Sequence, residues 1–95
     1  MLTPGKLVFL KQDQRICLGY SEYLDGFNRN SDSFKTNPKP GSLFLVVKNI
    51  SPEDDKRFCA SFNKTHWRKV YILWDVRQKE ICWVWDDEAD RFELA

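Results

Sequence analysis

The apolar positions of this chain fall in five short runs separated by polar stretches. Lys6–Lys11 (KLVFLK) reads as a strand entered from the Pro4-Gly5 turn signal, and Arg15–Tyr20 (RICLGY) as a weaker one. Ser42–Ile50 (SLFLVVKNI) follows Pro40-Gly41 and is rich in β-branched and aromatic residues, the clearest strand of the five. Arg68–Asp75 and Glu80–Asp86 read as a hairpin turned at Val76–Lys79, and Arg91–Leu94 (RFEL) as a last short strand. Between the second and third runs, residues 21–42 hold Gly26, Asn28, Asn30, Ser31, Asp32, Ser33, Asn37, Pro38, Pro40 and Gly41. That composition resists helix and favours a long packed or functional loop. Ser51-Pro52-Glu53-Asp54 carries a capping residue, a first-turn proline and acids at the positive end of a helix dipole. A short helix near 52–62 is one reading of it and a solvent loop the other. Asp86-Asp87-Glu88-Ala89-Asp90 reads as one 3₁₀ turn.

The hairpin KVYILWDVRQKEICWVWDD, residues 69–87, is apolar on both faces. Strand side chains alternate sides, so Val70, Ile72 and Trp74 share one face of its first strand while Tyr71 and Leu73 share the other. An even turn gathers Val70, Ile72, Trp74, Ile81, Trp83 and Trp85 together. An odd or bulged turn joins Val70, Ile72 and Trp74 to Cys82 and Val84 instead. Either way a second apolar face needs a cover. The cover is the chain's own loop, through Phe27, Phe34, Tyr20 and Tyr23, or a partner: another copy of this chain or a target protein.

Composition narrows the class. Ninety-five residues with 42% hydrophobic and 31% charged side chains fit one globular domain, 1–95, with a thin core. Aromatic residues at 15%, four of them Trp, supply large side chains for such a core. A net charge of +1 exerts no global pull on nucleic acid or anionic membrane. Locally, residues 56–79 are basic and residues 80–95 acidic, which adjacent strands can neutralise. Cys17, Cys59 and Cys82 are an odd, widely spaced set, unlike a disulfide framework. No leader-like or membrane-spanning run is present, so the expectation is a cytoplasmic, non-membrane protein.

Candidate chemistry is sparse. Cys59 and His66 lack close partners at zinc spacing, and as a nucleophile–base pair they lack an orienting group. No phosphate loop or dinucleotide fingerprint appears, and no cofactor or catalytic residue is expected. The acids of 86–90 read as a solvated turn. Lys64, Arg68 and Lys69 beside Trp67 form a basic–aromatic group able to stack a base or nucleotide, or else a charged strand entrance.

The order of pieces, carried by PGKLVFL, PGSLFLVVKNI, KVYILWD, EICWVW and RFEL, resembles the SH3-like or KOW-like small β-barrel of short phage-encoded accessory proteins. The resemblance implies an all-β fold: five strands closed into a single barrel with a long first loop and a 3₁₀ turn before the last strand. Trp67 stands about where peptide-binding members place a ligand Trp. The DDEAD turn lacks their Pro and Tyr, so polyproline binding is not favoured. The resemblance implies a non-enzymatic module that binds and modulates a host protein from within the host cytoplasm. Its expected contacts are Trp67, Tyr71, Trp83 and Trp85, with Arg68, Lys69, Tyr20 and Tyr23 beside them. Nucleic-acid or nucleotide binding through 64–69 is the alternative, and self-association through an apolar sheet face is compatible with either.

Overall fold

A computed structural model of the chain describes residues 2–11, 16–21, 33–36, 39, 41–51 and 69–95. They are mainly β. The strands are β1 (Leu7–Leu10), β2 (Cys17–Ser21), β3 (Ser33–Thr36), β4 (Leu43–Ile50), β5 (Val70–Asp75), β6 (Glu80–Trp85) and β7 (Phe92–Leu94). A 3₁₀ turn, Asp86–Arg91, joins β6 to β7. The five apolar runs and the terminal strand thus form strands, and the acidic turn is 3₁₀. One strand, β3, arises inside the stretch expected to be loop. The expected helix near 52–62 lies outside the described residues.

All pairings are antiparallel, in the order β3-β2-β6-β5-β4-β1-β7. Among the described residues the end strands β3 and β7 are not paired with each other, so the sheet is not closed there. Two local devices set its shape. At Thr3-Pro4-Gly5-Lys6 the Lys6 amide donates to the Thr3 carbonyl at 3.2 Å, with Gly5 at φ 87°, a conformation a side chain would disfavour. In β4 the register with β5 shifts between Val46 and Lys48, leaving Val47 as a bulge. Phe44 and Val46 face one side. Beyond the bulge the phase reverses, so Ile50 lies on the opposite side, with Leu45.

The sheet therefore carries a core on each face. The larger one collects Val8 and Leu10 from β1, Leu18 and Tyr20 from β2, and Phe44 and Val46 from β4. Tyr71, Leu73, Cys82 and Val84 from the hairpin complete it, closed by Ala89 of the 3₁₀ turn and Phe92 of β7. The Phe44 and Phe92 rings meet edge to face at 5.5 Å. The second core is Ile50, Val70, Ile72, Ile81 and Trp83, with Trp74 and Trp85 partly buried against it. Trp83 and Trp85 pack edge to face at 5.3 Å.

The four-residue turn at 76–79 is even. It pairs Val70 with Trp85, Ile72 with Trp83 and Trp74 with Ile81, which puts Trp74, Trp83 and Trp85 on one face. Burying a side chain such as Ile72 contributes roughly 1.5–3 kcal/mol, so the second face is a stabilising element in its own right. Cover from the loop was expected through Phe27, Phe34, Tyr20 and Tyr23. Phe27 and Tyr23 lie outside the described residues, for Phe34 only the backbone is described, and Tyr20 packs in the larger core instead.

Candidate interaction surface

The face that carries the second core has an exposed half. β4 lies between β1 and β5, and the registers align Leu7 with Leu45, Leu45 with Trp74, and Trp74 with Ile81. This is one apolar row across four strands. It runs from an exposed end, Leu7 at 46% accessible, to a buried one, Ile81 at 6%. A second line is formed by Phe9 opposite Leu43, whose carbonyl accepts the Val76 amide at 3.1 Å. Leu43 and Val76 are each 40% accessible, and the bulged Val47 is 39%. Strand pairing, not chain order, builds this surface from β1, β4 and the end of β5. Scattered exposed apolar residues need no explanation, but a contiguous set on one sheet face is the pattern of an interaction site.

The expected contact residues are distributed differently. Tyr71 and Trp83 are 0% and 1% accessible and belong to the two cores, and Tyr20 is 7% accessible. Trp85 is half-buried at the rim of the second core. Lys69 precedes β5 and is half-buried, its carbonyl accepting the Asp86 amide at 2.9 Å. Trp67, Arg68 and Tyr23, with the rest of the basic–aromatic stretch, lie outside the described residues. The surface residues that the sequence did not single out are aliphatic. Their signal was present, since both KLVFLK and SLFLVV are apolar on both faces, as the hairpin is.

Behind the surface a polar latch holds the hairpin. Asp75 is 2% accessible. Its Oδ2 accepts the Tyr20 hydroxyl at 2.8 Å, and its Oδ1 accepts the Arg77 and Gln78 amides at 3.1 Å each. The buried carboxylate thus caps the turn and ties it to β2, satisfied as a buried charge requires. Burial, and next the hydrogen bond to Asp75, push the Tyr20 phenol far above its ordinary value. Tyr71 is also raised, by burial and then by the neighbouring Asp86, although its hydroxyl completes no hydrogen bond of standard geometry.

Two adjacent recesses open at the Leu43 end of the exposed face. One, of about 300 Å³, is lined by Lys39, Gly41, Ser42, Leu43, Val76 and Arg77. The other, of about 260 Å³, shares Lys39, Ser42 and Arg77 and adds Asp75 and Gln78. Ser42 Oγ donates to the Lys39 carbonyl at 2.7 Å, fixing that corner.

Among the described residues no group of three or more His, Cys, Asp or Glu side chains is placed to hold a metal. Burial, and then Glu88, raise the Cys17 thiol, and the Glu88 carboxylate accepts the Cys17 amide at 3.3 Å. No helix among the described residues is long and apolar enough to cross a membrane. Comparison of the chain with protein-family models, curated proteins and solved structures finds no match.

Proposed function

We propose that this chain is a non-enzymatic protein-binding module that docks its partner on the exposed half of the β1–β4–β5 face. The observation that carries the reading is the row Leu7–Leu45–Trp74, apolar across three adjacent strands and open to solvent at its β1 end. A rigid sheet with a core on its far side presents such a row at low entropic cost, which favours binding. The small-barrel reading is supported by the order of pieces: a strand after Pro4-Gly5, a long stretch that contributes β2 and β3, the strong strand β4, a tight hairpin, a 3₁₀ turn and a short last strand. The more specific version, a phage-type accessory protein acting on a host protein in the cytoplasm, rests on the resemblance of the segments that carry that order.

The test is gentle affinity purification of the tagged chain from its natural host background, with and without nuclease and at two salt concentrations. Expected is a stoichiometric protein partner that survives nuclease and higher salt, because apolar contacts are not screened. A partner lost with nuclease contradicts the reading and favours nucleic acid.

A further inference from the structure

We infer that the paired recesses beside Leu43 take an acidic segment of the partner protein, one carboxylate-bearing residue flanked by an apolar one. This rests on the protein-binding reading above and names the chemistry of the ligand. The floor is apolar and exposed, through Leu43 and Val76. The cations Lys39 and Arg77 line both recesses, are exposed, and make no ion pair among the described residues. The one acid in the lining, Asp75, is buried, with Oδ2 bound to the Tyr20 hydroxyl and Oδ1 to two turn amides. Its oxygens are already engaged, and Lys39 and Arg77 outnumber it in the lining, so the two cations set the sign of the local potential. An anionic group above an apolar contact is the complement of that arrangement.

A protein segment fits better than nucleic acid. Single strands are held by bases stacked on aromatic rings, and among the described residues the lining of the recesses themselves offers none. The recesses are also continuous with the proposed surface, because Leu43 belongs to both. One extended segment can lie along the face and place its acid at this end.

The test uses fluorescence anisotropy with a labelled peptide of alternating Glu and Leu, a matched Lys and Leu peptide, and an oligothymidine. The full chain is compared with the double variant Lys39→Glu/Arg77→Glu and its conservative counterpart Lys39→Arg/Arg77→Lys. Circular dichroism and thermal unfolding establish that each variant folds. Expected is binding of the acidic peptide alone, weakened about tenfold or more by reversing both charges, the sum of several exposed-pair contributions, and kept by the conservative variant. Equal binding to the charge-reversed chain, no binding of the acidic peptide, preference for the oligothymidine, or self-association that the reversal abolishes would each overturn the inference. Leu7→Glu/Val47→Glu separates this from the parent reading, since neither residue lines the recesses. If that variant loses the captured partner while Lys39→Glu/Arg77→Glu keeps it, the inference fails and the protein-binding surface stands. If neither variant loses it, both fail.

Discussion

The indole of Trp83 packs over Gly19, its partner across β2 and β6, in the space a side chain there would fill. A Cβ at Gly19 would overlap ring atoms Cε2 and Nε1 and come within 2.6 Å of Cζ2. The large ring is 1% accessible because the opposite strand offers no side chain at that point. Gly19→Ala should therefore cost about 1–3 kcal/mol, the range of overpacking in a well-filled site. Denaturant unfolding measures it. Trp83→Leu in the Gly19→Ala background should recover part of the loss, a coupling that a double-mutant cycle isolates. Additive losses would show that the two do not touch.

The two buried tyrosines should answer differently to loss of their hydroxyls. Tyr20→Phe removes a donor from the buried Asp75 carboxylate and should cost about 1–3 kcal/mol, the penalty for an under-satisfied buried acceptor. Tyr71→Phe removes a buried hydroxyl that completes no hydrogen bond of standard geometry among the described residues, and should cost less than Tyr20→Phe. Chemical unfolding of both variants checks the contrast, and equal losses would contradict it.

Both phenols are raised above their ordinary value of 10.0 by burial. The folded state therefore holds these protons more tightly than the unfolded state does. Their contribution to stability is full below about pH 10 and declines as the pH rises above it, toward the folded-state values. Absorbance at the phenolate band should show no more than one of the three tyrosines ionising while circular dichroism remains native. The others should ionise together with unfolding. Titration of all three near the ordinary value, with the fold intact, would contradict the burial of Tyr20 and Tyr71.

Lys79 closes the hairpin turn at φ 56°, the left-handed region that a side chain disfavours. Its amide donates to the Asp75 carbonyl at 2.7 Å, which holds it there. The strain is about 1–2 kcal/mol for an L-residue, partly offset by the chain entropy a glycine would add to the unfolded state. Lys79→Gly should raise the thermal midpoint modestly, whereas Lys79→Val should lower it.

This turn also shows where the sequence was silent. Short apolar runs rich in β-branched and aromatic residues and bounded by turn signals made β1, β4, β5 and β6 legible, and the acid run with its following RFEL made the 3₁₀ turn and β7 legible. Nothing in Val76–Lys79 distinguished an even turn from an odd one, because the turn is shaped by the Asp75 carboxylate and a left-handed Lys rather than by Asn-Gly. The segment Ser33–Thr36 (SFKT) is short and lies in polar surroundings, and it pairs only with β2, so alternation could not reveal β3. The bulge at Val47 hid the phase change that sends Ile50 to the second core. Attention to aromatic side chains led toward Tyr71 and Trp83, which fill cores. The exposed row is aliphatic at its open end and depends on β4 lying between β1 and β5, a neighbour relation that only the folded chain displays.

The most direct measurement compares the unmodified chain with Leu7→Glu/Val47→Glu in partner capture, quantified by mass spectrometry. Leu7 and Val47 are 46% and 39% accessible, so charges there leave both cores intact, and an unchanged thermal midpoint establishes this. The expected result is a folded variant that no longer retains the nuclease-resistant protein partner. A folded variant that retains the partner as well as the unmodified chain does would contradict docking on the β1–β4–β5 face.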